Sequence, residues 1–293
     1  MTSTTAAHRA GRWKGRVGMA VTALLVTGGT VVTSIAPTTA LAAPGDTIIY
    51  GANGYGNTDV VELNLTQQTF THVGDVARET QAIDQDPATG RLYWFEWKTT
   101  SNEFGYWDPA TGANTIVRVY TPRPNLYAKR LAFGADGVLY MMDADDRLFT
   151  IDKHNGNITT LGQVTGLENG PYGGTGDMAF APDGTLYIAT YSSLYAVDVA
   201  TRTSTLLHDD MIDLTGVGIT LWTGLAFCDG VLYASHAEEA TALSAIFAID
   251  PASGATDLLY YTDTLLNDLS SCSAIPPNDP PSAVGGSVAT AED

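Results

Sequence analysis

Five times along this chain a tyrosine recurs in the same setting, as Tyr50, Tyr93, Tyr140, Tyr187 and Tyr233, at intervals of 43, 47, 47 and 46 residues. Some 10 to 16 residues after each comes an apolar residue followed by Asp or Asn: Leu63-Asn64, Trp107-Asp108, Ile151-Asp152, Val197-Asp198 and Ile249-Asp250. Most of these pairs open a turn such as DPATG, DKHNG, DVATR or DPASG. The carboxylate of such a turn can accept a backbone N–H two residues on, and its glycine supplies a positive φ. The stretch Leu131–Gly162 writes one unit in full. The apolar-rich runs LAF, VLYMM, LFTID and NITTL are separated by GADG, DADDR and KHNG. Four short strands per unit, repeated at a period above forty, define a radial repeat architecture.

The first strand of the unit recurs out of step with the rest. Its copies are Gln81-Ala82-Ile83, Leu131-Ala132-Phe133, Met178-Ala179-Phe180 and Leu225-Ala226-Phe227. None precedes Tyr50, while a degenerate copy, Leu269-Ser270-Ser271-Cys272, stands at the far end with no second strand after it. Ring closure accounts for both facts, and a closed ring leaves few exposed sheet edges. The fold class is therefore all-β: a five-bladed β-propeller of four-stranded antiparallel blades over residues 46–275, closed by a C-terminal inner strand. A β-solenoid is the alternative, with a shorter usual period and no need for the displaced strand. Cys228 and Cys272 fall at matching places on inner strands of neighbouring blades. A disulfide there ties the ring shut; the alternative is two buried thiols.

Residues 1–42 stand apart. A basic start (His8, Arg9, Arg12, Lys14, Arg16), an apolar run over Val17–Ile35 and the small-x-small site Ala40-Leu41-Ala42 read as a secretory signal peptide. The expected location is secreted, extracellular or at the cell surface. All 32 acidic residues but only ten of the 14 basic ones follow residue 42, a balance of −22. Such a charge repels nucleic acid and anionic lipid. Residues 276–293 begin with the stiff linker PPNDPP. The rest resembles the opening strand of immunoglobulin-like or cadherin-like repeats, which would make this chain one module of a longer protein; a disordered tail is the alternative.

The repeat core over Leu131–Leu161, Met178–Leu207 and Leu225–Leu259, with the ending NDLSSC, resembles the DUF6923-like and DUF4394-like propeller domains of secreted bacterial proteins. Streptogramin-lyase-like, SMP-30-like and NHL propellers share the same phrases. The resemblance implies a propeller over roughly 46–275 and leaves activity open, because this scaffold hosts many functions.

Propeller ligands usually lie at one mouth of the ring. The mouth where fourth-to-first strand connections and second-to-third strand loops gather holds the longest loops here, and loops on a rigid ring commonly carry function. Tyr127, Tyr172, His208 and Trp222 are the ligand-binding candidates, the aromatic rings as a stacking surface. Glu79, Asp177 and Asp268 each precede an inner strand and are the catalytic candidates, since converging carboxylates serve glycoside hydrolysis; ordinary charge pairing is the alternative. Asp143, Asp145 and Asp146 form an oxygen-rich loop of the kind calcium favours, without EF-hand spacing, and a solvated turn is the plainer reading. No histidine pairing at metal-ligand spacing, nucleophile elbow, HExxH or phosphate-binding glycine loop occurs. No cofactor beyond calcium is expected. The leading expectation is a non-catalytic binding or adhesion module, monomeric or one module of a longer chain, that takes a glycan, peptide or protein at one mouth. The alternatives are a propeller enzyme of lyase, lactonase or glycosidase type and a structural spacer.

Overall fold

The order of the strands decides between ring and solenoid. The computed structural model describes residues 45–53, 58–76, 79–96, 102–121, 124, 126–168, 176–209, 221–238 and 242–272. All lie in one compact unit, Leu41–Asp293. The signal peptide and tail expected from the sequence lie outside the described residues, as does Tyr172. Blade one holds β1 (Ile48–Asn53), β2 (Thr58–Asn64) and β3 (Thr69–Val76). Blade two is β4 (Thr80–Gln85), β5 (Leu92–Glu96), β6 (Asn102–Asp108) and β7 (Ala113–Tyr120). Blade three is β8 (Ala128–Phe133), β9 (Leu139–Asp143), β10 (Arg147–Ile151) and β11 (Ile158–Gln163). Blade four is β12 (Met178–Phe180), β13 (Leu186–Ala189), β14 (Leu194–Asp198) and β15 (Thr203–His208). Blade five is β16 (Leu221–Cys228), β17 (Val231–Glu238), β18 (Leu243–Ile249) and β19 (Thr256–Tyr261). The last strand, β20 (Asp268–Leu269), returns to blade one, whose sheet order is β20-β1-β2-β3. Gly51 pairs with Leu269 and Ala52 with Asp268, and Ser270 N donates to Tyr50 O at 2.8 Å. The sequence reading of five blades and a displaced inner strand holds. Among the described residues no helix is long and apolar enough to cross a membrane.

Burial follows radius. The inner strands β4 and β8 are buried along almost their whole length, whereas the outer strands β7, β11 and β19 are largely exposed or half-buried. Outer strands rich in Thr suit a surface that is wet on one face. The recurring tyrosine packs across to the phenylalanine of the next blade. Ring centroids are 5.5 Å apart for Tyr93–Phe133, 4.9 Å for Tyr140–Phe180 and 6.4 Å for Tyr187–Phe227. At the closure the partner of Tyr233 is not an aromatic ring; Tyr233 packs in the same cluster as Cys272. The disulfide Cys228–Cys272 takes over there.

The turn chemistry is as the sequence implies. Oδ1 of Asp108, Asp152, Asp198 and Asp250 accepts the N–H of Ala110, His154, Ala200 and Ala252, at 3.0, 2.9, 2.8 and 2.9 Å. Gly254, at φ +72°, closes the last of these turns. A Cβ there would lie 2.6 Å from Cγ of His208, whose Nε2 donates to Pro251 O at 2.9 Å from the neighbouring blade. Gly254→Ala is therefore expected to cost about 2–3 kcal/mol, combining left-handed strain with overpacking. Urea unfolding measures it, and a loss below about 0.5 kcal/mol would mean that the His208 ring yields freely.

One register differs from the sequence reading. Asp84, not Ala82, lies opposite Tyr93, just as Ala132, Ala179 and Ala226 lie opposite Tyr140, Tyr187 and Tyr233. Blade two thus aligns Ile83-Asp84-Gln85 with Leu-Ala-Phe. A one-residue bulge between Thr80 and Ile83 precedes this segment, as one does between Ala128 and Arg130 in blade three. A carboxyl therefore stands at a central inner-strand position that blades three to five give to alanine.

Candidate functional site

Inner strands expose one edge to the axis, where their N–H groups need acceptors. Polar side chains of neighbouring blades supply them. Oδ2 of Asp268 accepts from Ile83 N at 3.0 Å, Oδ2 of Asp84 from Phe133 N at 2.6 Å, and Oδ2 of Asp177 from Leu225 N at 2.7 Å. At the closure, Ser271 N of blade one donates to Oδ1 of Asp84 in blade two at 2.7 Å, and Phe227 N of blade five donates to Oγ of Ser271 at 3.1 Å. Asp84, Asp177 and Asp268 are all fully buried. Burial pushes the carboxyls of Asp84 and Asp268 well above the usual range, with the charge of Asp177 adding to both, and pushes Asp177 up to about 7. Asp177 and Asp268 are hydrogen-bonded to each other, which requires a proton between them. Oδ1 of Asp268 has no other donor among the described residues, and such a proton gives it a partner. Arg130, fully buried at the same level of its own inner strand, donates to Oδ1 of Asp146 at 3.4 Å.

Above this layer, where the inner strands end, a funnel of about 380 Å³ opens among the first-to-second strand turns. Its walls are Phe133, Phe180, Phe227, Pro182 and the Cys228–Cys272 bridge, with Asp84 and Ser271 among its polar lining. Cavities of this size that mix apolar walls with a few polar groups are where small ligands or single side chains bind.

The structure redistributes the residues singled out from sequence. Of the three catalytic candidates, Asp177 and Asp268 come together, but Glu79 is only half-buried and Asp84 stands as the third acid. Nothing in the repeat alignment marked Asp84, because Gln81-Ala82-Ile83, two positions earlier, matches the Leu-Ala-Phe pattern by residue type. Neither Asp177 nor Asp268 lines the funnel. Of the ligand-binding candidates, Trp222 is 1% exposed and packs edge-on against Phe247 and His236, so its ring is core. His208 pegs blade four to the turn of blade five. Tyr127 is exposed, but it precedes β8 and so sits at the opposite end of the inner strand from the funnel. Among the described residues, this cavity lies at the mouth with the shorter, tighter turns; much of the longer loops at the other mouth lies outside the described residues.

Asp143 is buried and accepts from Asp145 N, Arg147 N and Arg147 Nε at 3.1, 2.9 and 2.8 Å. Asp145 is exposed, and Asp146 turns away at φ +59° toward Arg130. Asp143, Asp145 and Asp146 thus form a turn neutralised by arginine, not a set of converging oxygen ligands. Among the described residues the one trio of potential metal-ligand atoms within 4.8 Å is Cys228, Asp229 and Cys272. Its sulfurs are bonded to each other and not available to a metal.

Residues 126–268 match a family described as a repeat of unknown function (DUF6923). The match spans blades three to five and ends as β20 begins. No curated protein matches the chain. Among solved structures, a nidogen/laminin complex is similar at 16% identity, over 77% of this chain and 98% of that one, with a TM-score of 0.49. A protein from Lactobacillus plantarum is similar at 18% identity, over 76% and 70%, with a TM-score of 0.41. A putative 6-phosphogluconolactonase from Bacteroides uniformis is similar at 15% identity, over 75% and 83%, with a TM-score of 0.45. Likeness at this level carries nothing about ligand or activity. The chain is a five-bladed β-propeller whose third to fifth blades match the DUF6923 repeat.

Proposed function

We propose that this chain is a secreted or surface-displayed binding module that receives one compact group of its ligand in the axial funnel. The observation that carries the reading is the cavity itself, walled by three repeat-related phenylalanines and the closing disulfide. A spacer calls for a flat mouth, so the cavity favours binding. An enzyme of the glycosidase kind needs two carboxyls free to exchange protons with substrate. Asp177 and Asp268 are buried behind the funnel, and both oxygens of Asp84 accept backbone N–H groups, which favours a structural role for the acids. A volume near 380 Å³ fits a side chain or small organic group better than a broad glycan surface, which favours a peptide or protein ligand.

Peptide and glycan arrays probed with the secreted protein test this. Ala135 is exposed at the funnel wall, and Ala135→Trp would fill the opening without entering the core. Retained array signal is expected to fall at least about tenfold in that variant, the weight of one well-buried apolar anchor. Binding that Ala135→Trp leaves unchanged would move the site off the funnel.

A further inference from the structure

The propeller already holds one ammonium beside this mouth. Lys153, the residue after the turn aspartate Asp152, places Nζ 3.0 and 2.9 Å from the two carboxylate oxygens of Asp86. The same Nζ lies 5.5 Å from the ring centroid of Phe133. A carboxylate on one side and an aromatic face on the other is a general solution for an ammonium group.

The next blade boundary has the same walls and a different occupant. Val199 follows Asp198 as Lys153 follows Asp152, and Phe180 occupies the repeat position of Phe133. The valine side chain is too short to deliver a charge. A niche of about 290 Å³ remains, lined by Tyr140, Phe180 and Val199 and by the exposed carboxylates Asp136 and Asp183. These carboxylates come from further along their turns than Asp86. Oδ1 of each accepts a backbone N–H, from Val138 and Thr185, and neither forms an ion pair with a cation among the described residues. The niche shares Gly134, Ala135, Phe180 and Pro182 with the funnel wall, so a ligand can span both.

We propose that the niche between blades three and four binds the ammonium of a lysine side chain from a partner polypeptide, with neighbouring apolar atoms of that partner in the funnel. The proposal rests on the funnel reading and names its partner. Charge complementarity supports it, since the chain after residue 42 carries a balance of −22 and attracts basic partners. Lysine suits the geometry because its four-carbon stem lies along apolar surface while its head stays among carboxylates.

The test uses the secreted protein and paired probes followed by NMR titration at pH 7 and low salt. The first pair is acetyl-Leu-Lys-Leu-amide and the same peptide with Nε-acetyllysine, and the second is n-hexylamine and n-hexanol. The charged member of each pair is expected to bind about tenfold more tightly, the weight of one ion pair plus one cation–π contact. Val199→Lys should supply the ammonium from within, as Lys153 does, and erase that preference while leaving the neutral probes unchanged. Asp183→Asn should reduce it severalfold. Equal affinities within each pair, or a preference that survives Val199→Lys, would overturn the proposal; if Ala135→Trp still blocked array binding, the funnel reading would stand alone. Discrimination with hexylamine but none with the peptide would reassign the niche to a free small amine. Binding that appears only after removal of residues 276–293 would make the chain's own tail the occupant, also against the proposal.

Discussion

Replacing Cys228 and Cys272 by alanine is expected to lower the unfolding free energy by about 4 kcal/mol, from the loop-closure entropy of a bridge spanning 44 residues. For a domain of this size that is roughly a 10 °C fall in Tm. The bond acts where the ring has least else to hold it. Blade one is assembled from both ends of the fold, and β20 contributes only two strand residues, Asp268 and Leu269. Beyond it, Ser271 anchors the segment by donating to Asp84 and accepting from Phe227. The tyrosine–phenylalanine pair that seals the three boundaries from blade two to blade five is absent here, and Tyr233 packs in the cluster of the bridge instead. Thermal unfolding of wild type and double variant, with and without reductant, measures the effect. Reductant should shift the wild type and leave the variant unmoved. A loss below about 1 kcal/mol would show that the hydrogen bonds of β20 and Ser271 close the ring unaided.

The second large effect belongs to the axial acids. Asp84→Ala would leave the N–H groups of Phe133 and Ser271 without their acceptor in a dry interior, at about 1–3 kcal/mol each. A total near 4 kcal/mol is expected, about half of it recovered by Asp84→Asn, which keeps one acceptor oxygen. The same cluster makes stability depend on pH. In the unfolded chain these carboxyls titrate near 3.9. In the fold, burial raises Asp84, Asp177 and Asp268, the charge of Asp177 adds to Asp84 and Asp268, and hydrogen bonds from backbone N–H groups oppose the rise, with Asp177 near 7. Between those ranges the folded state binds more protons than the unfolded chain. The contribution is thus fully present below about pH 4 and is lost as pH rises through the folded values. Each pH decade with one extra bound proton is worth about 1.4 kcal/mol. His72, raised by its bonds to Asp59 and Asp263 against the opposing pull of burial, contributes in the same direction. The turn acids Asp183, Asp198 and Asp250 are held below the usual range by hydrogen bonds from their own turns, and their contribution is lost as pH falls through their folded values. Tm should therefore rise on going from pH 8 to pH 5 and fall again in stronger acid. A Tm that is flat or falling between pH 8 and 5 would mean that water reaches the axis and the acids stay ionised.

How much of this could be read without coordinates depends on how far apart the interacting residues lie in the chain. The tyrosine period, the turn aspartates and the displaced Leu269–Cys272 segment lie within single units or copy one another between units, so the ring, its five blades and the matching cysteine positions were legible. The mouth was not. Loop length pointed to Tyr127, His208 and Trp222, yet Trp222 is core and His208 joins two blades, because packing against a neighbouring blade leaves no mark on the local pattern. Asp84 was missed because Ala82, two residues earlier, matches the alanine of the pattern by type, and only the strand pairing shows that Asp84 faces Tyr93.

The amino-acid sequence by itself determined the repeat, the strand-and-turn grammar and the closure, because these depend on residues near one another and on a period that any copy reveals. Only the tertiary structure decided that Asp84, Asp177 and Asp268 meet on the axis, that the funnel opens among the short turns, and that Val199 and Phe180 line a niche beside the carboxylates Asp136 and Asp183. Those facts depend on rotation about a common axis, which brings groups such as the Asp84 carboxyl and the Ser271 N–H together across 187 residues of chain. Spacing along one unit carries no record of that convergence.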